Sequence, residues 1–373
     1  MSNIFFQPRL TGKRFEDHAL PVELLSDFAA LEELIVEIAK QKYLEEHTDR
    51  RRVPRGFSDG IILKLSKIEE GSVKPIFTLA SVLTAGSMFT ISDPTLTYFE
   101  QAKELVIQSI GHAEKNETVG LPPKFIAYFN RIGKNLLEDE AIEFNPSSLE
   151  NKAILNKQSR RKILLSADQN AEYLDNMSLI VRVSELDKGK STFTVENNMM
   201  KISGIAIQAE HRDRIYQAFN EFELGNYVKI KGVAKFNASS KISMIESIEH
   251  IDILESGDIE VRLEQIIALR SGWYYGEGDV FSKSELDNFL NLFTGHFPND
   301  LPSPSIYPTV DGKLQLEWSN DLYDLSLTVD TTSMLADFHV LTFVNEIESN
   351  KSLDLNQEMD WNQLNIWLQQ NFV

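Results

Sequence analysis

Hydrophobic and polar positions alternate most regularly in the middle of the chain, over residues 177–254. Runs with a period of two, bounded by Asn, Gly and Ser turns, are typical of half-buried antiparallel strands. Five such runs follow one another here, and between the third and the fourth the period changes to helical spacing over Glu210–Phe222. Three strands, a helix and two strands is the order of an OB-type fold, so the pattern predicts a small five-stranded barrel.

The N-terminal region, residues 1–166, alternates between helical and strand periodicity. It predicts a helix over 24–43, a hairpin over 61–79, and helices over 94–110, 124–137 and 147–165. The last of these helices is expected to be basic on its outer side, where Arg160 would lie. Helices packed on a hairpin make a two-layer unit, so the region is predicted to be an α+β domain with a helical extension.

The C-terminal region, residues 255–373, returns to mixed patterning. A helix start is predicted at Ser282, because Ser282 and Glu285 have the spacing of a capping box. Asp311-Gly312 lies between two alternating runs and predicts a β-hairpin. The region is therefore expected to be a second α+β domain with an antiparallel sheet. The chain as a whole is predicted to be a multi-domain α+β protein with boundaries at 1–166, 177–254 and 255–373.

Charge is distributed unevenly over these three regions. The net charge is −19, and residues 255–373 alone hold 5 Lys and Arg against 20 Asp and Glu, a balance of −15. Nucleic-acid affinity depends on Lys and Arg that neutralise phosphates, so this region is expected to repel DNA and RNA. Two interpretations remain open: a solubilising surface, or an interaction face for a basic partner.

Composition and motifs exclude several kinds of chemistry. The chain has no cysteine, which excludes disulfides, thiolate metal sites and a cysteine nucleophile, and it suits a cytoplasmic location. No signal peptide or membrane-spanning run is apparent, so no membrane association is expected. GxxxxGK[ST], GxGxxG, HExxH, CxxC and GxSxG motifs are all missing. We therefore expect no catalytic residues, no metal and no cofactor, while an enzyme with an unrecognised site stays open.

The densest basic cluster lies between the first predicted helix and the hairpin. Its members are Arg50, Arg51, Arg52 and Arg55. Guanidinium groups bind phosphates and carboxylates equally well, so the cluster is a candidate for nucleic-acid or phosphate binding. The alternative is a structural set that pairs with Glu45, Glu46 and Asp49.

The predicted barrel offers a second basic candidate. Lys229, Lys231 and Lys235 alternate along one strand, and Phe193 and Phe236 could serve as stacking platforms. Single-strand binders combine a basic groove with aromatic side chains on which bases stack. The alternative is that both phenylalanines, which are in phase with core positions, are part of the barrel core.

Aromatic residues are concentrated among glycines in the segment Gly272–Gly278. Trp273, Tyr274, Tyr275 and Glu277 of this segment, together with Trp318, are candidates for partner binding, because interface hot spots are rich in Trp and Tyr. The alternative is that one aromatic ring fills a gap between two helices while the glycines permit the turn.

Several of these stretches carry a resemblance to a group of uncharacterised bacterial proteins. The matching residues are Asp17–Pro21, Asp49-Arg50 with Val53–Phe57, Ile68–Ser72, Gly272-Trp273-Tyr274 with Gly276–Gly278, Pro304–Pro308, Leu316–Trp318 and Asp360-Trp361. The group resembles companion proteins encoded beside toxins, nucleases or ATPases in anti-phage loci of the Menshen type and in toxin–antitoxin loci. The resemblance brings no catalytic residues with it.

The resemblance implies a non-catalytic sensor, regulator or antitoxin-like component of a bacterial defence system. Such a protein would act by binding an effector encoded nearby, which could be a nuclease, an ATPase or a toxin. The alternative function is a nucleic-acid-binding adaptor that uses the predicted barrel and the Arg50–Arg55 cluster.

Overall fold

The computed structural model describes residues 4–16, 19–54, 57, 61–69, 73–81, 93–148, 151–167, 172–343 and 347–372. Over these residues the chain is a mixed α+β protein whose sheets are antiparallel, as the sequence predicted. It divides into two compact units, Met1–Met177 with Val233–Ser247 and Ser178–Gly232 with Ile248–Val373. The predicted division into three domains stays a prediction.

In its described residues, the N-terminal part of the first unit contains two small sheets and four α-helices. The elements are β1 (Ile4–Phe6), β2 (Arg9–Thr11), α1 (Leu24–Glu46), β3 (Ile61–Glu69), β4 (Lys74–Ser81), α2 (Asp93–Glu114), α3 (Pro123–Ile126), β5 (Ala141–Phe144), β6 (Ala153–Leu155) and α4 (Lys157–Leu165). One sheet has the order β1-β4-β3 and the other β2-β5-β6. The apolar stripe of α1 is buried, with Leu34 and Ile38 almost fully inaccessible to solvent, which confirms the predicted helix.

The prediction of a continuous helix over 124–137 is wrong. Helix α3 continues only as a 3-10 turn to Asn130, and Gly133 then adopts a φ of +73°. The backbone carbonyls of Phe129 and Ile132 accept hydrogen bonds from Arg160 Nε at 2.8 and 3.1 Å. These carbonyls are therefore bound by a side chain from elsewhere in the chain, and the helix ends early.

The helix predicted over 147–165 is also shorter than expected. Residues 153–155 pair with β5 as strand β6, and α4 starts only after Asn156. Asn156 Oδ1 accepts from the Ser159 amide at 2.8 Å, while Ser159 Oγ accepts from the Asn156 amide at 2.9 Å. This reciprocal capping box fixes the start of the helix at residue 157.

Arg160 lies at the centre of the first unit and not on the outer side of α4. Its side chain is fully buried, and it forms an ion pair with Asp175 Oδ2 at 3.0 Å. Its Nη2 atom donates to the carbonyl of Leu174 at 2.6 Å. A buried guanidinium without partners would be very costly, and these contacts together offset that cost.

Asp27, on α1, faces the same polar centre. Its side chain is almost fully buried and accepts from Asn135 Nδ2 at 2.6 Å and from the Asn135 amide at 3.3 Å. Burial disfavours the charged carboxylate and raises the pKa of Asp27 to about 6, although the bonds from Asn135 and the charge of Arg160 oppose this shift. The Asp27 carboxyl therefore gains or loses its proton near pH 6.

The central sheet has the predicted elements but is not closed. Its elements are β7 (Tyr173–Asp187), β8 (Thr192–Glu196), β9 (Lys201–Ala206), α5 (Arg212–Asn220), β10 (Tyr227–Phe236) and β11 (Ile242–Leu254). The strand order is β11-β10-β7-β8-β9, and over residues 172–254, all of which are described, no pairing joins β9 to β11. Three strands, a helix and two strands are present in the predicted order, whereas the predicted closure into a barrel is not confirmed.

The C-terminal part of the second unit is a five-stranded sheet with helices on one face. Its elements are α6 (Ile259–Ile267), α7 (Lys283–His296), β12 (Ser305–Pro308), β13 (Leu314–Ser319), β14 (Tyr323–Val329), β15 (Leu335–Thr342), β16 (Ile347–Asp354) and α8 (Glu358–Phe372). The strands pair in sequence order, with Leu314 opposite Val329. Leu314, Leu316 and Trp318 point into the helix-covered core, while Gln315 and Glu317 are partly exposed.

One predicted detail of this region is wrong. Ser282 precedes α7 but makes no side-chain capping bond. The carboxylate of Glu285 instead accepts hydrogen bonds from the hydroxyls of Thr331 and Thr332 at 3.4 and 3.2 Å. Glu285 is thus used to hold α7 against the turn after β14, a contact that no local pattern reports.

Replacement of Asp27 by Asn should remove one source of pH-dependent stability. A carboxyl whose pKa is raised from 3.8 to about 6 stabilises the folded state when protonated, and this stabilisation is lost as pH rises through 6. The advantage of the wild type over Asp27→Asn should therefore shrink between about pH 3 and pH 7.5, by on the order of 3 kcal/mol at most.

Thermal melting of both proteins across this pH range measures the effect. Asp49→Asn, which changes an exposed carboxylate near the end of α1, is the matched control. A melting-temperature difference between wild type and Asp27→Asn that does not vary with pH would contradict the assignment.

Candidate functional site

The segment 271–279, hereafter the aromatic loop, joins α6 to α7 and is closed by its own backbone. The Gly272 amide donates to the Gly278 carbonyl at 2.9 Å. Tyr274 and Glu277 exchange two backbone hydrogen bonds, each of 2.9 Å, and the Gly276 amide donates to the Gly272 carbonyl at 3.1 Å. Four internal bonds in nine residues make this loop a rigid, tight hairpin.

Glycine is required at several places in the aromatic loop. Gly272, Gly276 and Gly278 have φ angles of +80°, +94° and +106°, a region that favours glycine. A Cβ atom at Gly278 would lie 2.5 Å from Nε1 of Trp273. The indole of Trp273 therefore lies directly on the Gly278 backbone, and its N–H donates to the Asp279 carbonyl at 3.1 Å.

Tyr275 has a positive φ because it lies in the two-residue turn between Tyr274 and Glu277, and tight hairpin turns of this kind require a positive φ at both central residues. Its φ is +52°, and a left-handed backbone costs a non-glycine residue about 1–2 kcal/mol. Its side chain is 95% exposed, so it recovers none of this cost by burial. The neighbouring Tyr274 is 50% exposed and meets the Tyr275 ring edge-to-face, with the centroids 5.0 Å apart. Strained residues of this kind concentrate at functional sites.

Two exposed valines lie next to the aromatic loop, one directly after it in the chain and one on the turn to which the loop is bonded. The Asp279 amide donates to the Val310 carbonyl at 3.1 Å, which attaches the aromatic loop to the turn between β12 and β13. Val280 is 59% exposed and Val310 is 37% exposed. We call Tyr274, Tyr275, Val280 and Val310 the aromatic patch. Sequence reasoning missed both valines, because the contact that unites them joins positions some thirty residues apart.

Acidic side chains lie next to the aromatic patch, on the aromatic loop and on the turn between β12 and β13. Across residues 172–343, the carboxylates of Glu277 and Asp279 have no hydrogen-bond donor or cation as partner. On the adjoining turn, bonding from the Thr309 hydroxyl and from Lys313 holds the pKa of Asp311 below its usual value. This carboxylate is therefore ionised at neutral pH.

A carboxylate-lined cavity of about 430 Å³ lies at the same end of the sheet, where Leu314, Val329 and Ala336 are in register. Its charged lining residues are Lys313, Asp330, Asp337, Asp354 and Asp360. Backbone amides of the turn, with that of Ser333 foremost, hold the pKa of Asp330 below its usual value. The aromatic patch and the cavity thus share one strongly acidic end of the sheet.

The partner-binding candidates from the sequence fall into two environments. Trp273, Tyr274, Tyr275 and Glu277 are together on the aromatic loop. Trp273 is only half-buried and fills its own loop, not a gap between helices. Trp318 is 4% exposed, and its indole donates to the Pro302 carbonyl at 2.8 Å, so it is a core residue of the C-terminal sheet.

The arginine cluster is exposed where the structure describes it. Arg50, Arg51 and Arg52 are all solvent-exposed, and Arg55 lies outside the described residues. The expected structural partners bind elsewhere: Glu45 pairs with Lys42 at 3.7 Å, and Glu46 accepts a hydrogen bond from the Tyr98 hydroxyl. Arg50 lies over the Tyr43 ring at 5.8 Å. Among the described arginines, Arg50, Arg51 and Arg52, none forms the pairing with Glu45 or Glu46 that the alternative interpretation requires.

The lysines of β10 differ in their freedom to bind a ligand. Lys229 is held in a half-buried ion pair with Glu260, and Lys235 is 3.9 Å from Glu172, whereas Lys231 is exposed. Phe193 is 1% exposed, which confirms it as a core residue. Phe236 is partly buried and stacks on Tyr173 with the ring centroids 5.6 Å apart. No pair of free aromatic rings is therefore available here for stacking bases.

Comparison with known proteins gives no assignment. No protein-family model matches the chain, and neither a curated protein nor a solved structure matches it. The resemblance stated above consequently stays a prediction. In the described part of the chain, no helix has the length and apolar character to cross a membrane, and no group of three or more His, Asp or Glu side chains could hold a metal ion.

Replacement of Gly278 by Ala should loosen the aromatic loop. The new Cβ would collide with the Trp273 indole, and the alanine backbone would have to keep a φ of +106°. Amide hydrogen exchange at Gly272, Tyr274 and Glu277 should therefore accelerate several-fold, because their mutual hydrogen bonds depend on this packing.

Gly295→Ala is the matched control. Gly295 lies in α7, and a Cβ there would meet no atom within 4 Å, so this change should leave the loop unaffected and stabilise the helix by up to about 1 kcal/mol. Unchanged exchange in Gly278→Ala would show that the glycine is not required for the loop geometry.

Proposed function

We propose that this chain is a non-catalytic binding protein that recognises a basic protein partner through the aromatic patch. The observation that carries the proposal is Tyr275, held almost fully exposed on a strained backbone by a rigid loop. In the setting that the sequence resemblance implies, the partner is an effector of an anti-phage or toxin–antitoxin locus, such as a nuclease, an ATPase or a toxin. The chain would restrain or trigger that effector in the cytoplasm.

The geometry of the aromatic loop favours a role in binding. Exposed Tyr and Trp side chains that are rigidly presented bury large areas at low entropic cost when a partner covers them. Preorganisation matters because a partner does not have to order the loop on binding. The aromatic loop meets both conditions, since its four internal hydrogen bonds exist without a partner.

Charge defines the kind of partner. The balance of −15 over residues 255–373, with the acidic end of the sheet around the aromatic patch, would repel nucleic acid and attract a basic protein surface. A nuclease, whose own surface must attract phosphate, has the complementary charge. Long-range attraction would speed the encounter, and the aromatic side chains would slow dissociation.

A nucleic-acid-binding adaptor is the second candidate, and two observations favour it. Arg50, Arg51 and Arg52 are exposed, and across the described residues none of them forms an ion pair with a carboxylate. We further propose that the central sheet is an OB-type module, since its order β11-β10-β7-β8-β9 is that of an OB-type barrel opened between the third and fifth strands. The ion pair of Lys229 with Glu260 and the burial of Phe193 weaken a stacking role for that module.

Tyr275→Ala tests the leading proposal. Loss of a hot-spot aromatic side chain should weaken the effector complex at least tenfold, because such truncations cost about 2 kcal/mol or more. The measurement is co-purification of the tagged chain with the products of its neighbouring genes, followed by a titration of the partner that is recovered.

Phe343→Ala is the matched control for this experiment. Phe343 is 44% exposed and follows β15 at the opposite end of the same sheet, where its amide donates to the Leu322 carbonyl. Equal recovery of the partner by wild type, Tyr275→Ala and Phe343→Ala would refute the proposal.

The double variant Arg51→Glu with Arg52→Glu tests the alternative function. If these arginines contact phosphates, binding of labelled DNA or RNA should weaken. The slope of log K against log salt should also become shallower, by the amount expected for the loss of about two phosphate contacts. Thermal melting should be nearly unchanged, because exposed substitutions usually cost under about 0.5 kcal/mol. Nucleic-acid binding that is absent in the wild type, or equal in both proteins, would exclude the adaptor.

A further inference from the structure

We infer that the group received by the aromatic patch is an arginine side chain of the partner, held over the rings of Tyr274 and Tyr275 and paired with Glu277. This inference rests on the proposed function and names the chemistry of its partner. It goes further than burial of an apolar surface, because it requires a positive charge at one defined point.

Both tyrosine rings are exposed to solvent, although Tyr274 also meets the rings of Trp273 and Tyr275 edge-to-face. A cation over an aromatic face is attracted by the ring quadrupole, and the attraction is strongest when water is excluded. The chain uses this contact internally, since Arg182 lies 3.7 Å from the centroid of Phe222 and 5.8 Å from that of Tyr227. Across residues 172–343, by contrast, no Lys or Arg lies over Tyr274 or Tyr275.

The backbone of the aromatic loop sets a carboxylate beside these rings. Tyr274 and Glu277 are directly paired across the hairpin. Side chains opposite each other in such a pair have Cβ atoms about 5 Å apart. A cation over the Tyr274 ring would therefore be within reach of the Glu277 carboxylate, which has no cation partner in this part of the chain.

Guanidinium fits this arrangement better than ammonium. Its plane stacks on an aromatic ring while its edge donates two hydrogen bonds to a carboxylate, whereas a lysine ammonium is a compact and strongly hydrated point charge. The Asp279 carboxylate and the acidic cavity at the same end of the sheet add long-range attraction. Ring faces and an adjacent free carboxylate are together the complement of an arginine side chain.

Three labelled Gly/Ser peptides that differ at two positions test the inference on the full-length chain. These positions hold arginine, lysine or citrulline, a neutral isostere of arginine, and binding is followed by fluorescence anisotropy. We expect the arginine peptide to bind at least about tenfold more tightly than the citrulline peptide, with lysine between them. Equal binding of the arginine and citrulline peptides, or no binding of the arginine peptide at millimolar concentration, overturns the inference.

Variants at the loop separate a cation site from an apolar one. Tyr275→Phe keeps the ring and should retain binding of the arginine peptide, while Tyr275→Leu keeps apolar area without the quadrupole and should lose about fivefold. Glu277→Gln should lose a similar factor, whereas Asp321→Asn removes one charge from an exposed position at the opposite end of the sheet and should have little effect.

The outcomes distinguish this inference from the proposed function. Peptide binding that survives Tyr275→Leu but not Tyr275→Ala would show that the patch acts by apolar burial alone, and the arginine assignment would fall. Partner recovery would still depend on Tyr275 in that case, so the proposed function would stand. Equal losses from Glu277→Gln and Asp321→Asn would likewise overturn the assignment, because they would reduce it to general attraction by an acidic domain.

Discussion

The buried guanidinium of Arg160 is the interaction on which the first unit depends. It satisfies backbone carbonyls of the 3-10 turn after α3, pairs with Asp175 and donates to the Leu174 carbonyl at the start of β7. Because the charge and the carbonyls would each be costly to bury alone, this side chain links the turn, α4 and the start of β7 in the folded protein. The close fit extends to Gly133, where a Cβ would lie 3.2 Å from Arg160 Cδ.

This polar centre also explains why the unit should respond to pH. Asp27 is buried beside it with a pKa raised to about 6, so the charge of one buried carboxyl changes between mildly acidic and neutral pH. Its hydrogen bonds from Asn135 tie α1 to the segment that follows the 3-10 turn. Stability and connectivity therefore depend on the same few groups.

The C-terminal sheet combines an apolar core on one face with an exposed acidic end. Its helix-covered face is a conventional apolar core, whereas one end presents a rigid aromatic loop amid carboxylates. At this end the Trp273 side chain packs on the loop backbone, whereas the Tyr275 side chain is exposed to solvent. Separating the supporting aromatic side chain from the exposed one lets the loop present a large ring at little entropic cost on binding.

The elements of this fold were largely readable from the sequence, because periodicity reports which face of a helix or strand is buried. Alternation located β12 and β13, helical spacing located α1, and the glycine-rich aromatic segment marked the candidate loop. The burial of Arg160, the early end of α3, the use of Glu285 by Thr331 and Thr332, and the open central sheet were decided only by tertiary structure. Each depends on partners distant in sequence, and a local pattern cannot show which polar groups meet when the chain is folded. For the same reason, sequence analysis placed Trp318 and Trp273 in one set of partner-binding candidates. Trp318 lies in the core, whereas Trp273 supports the loop.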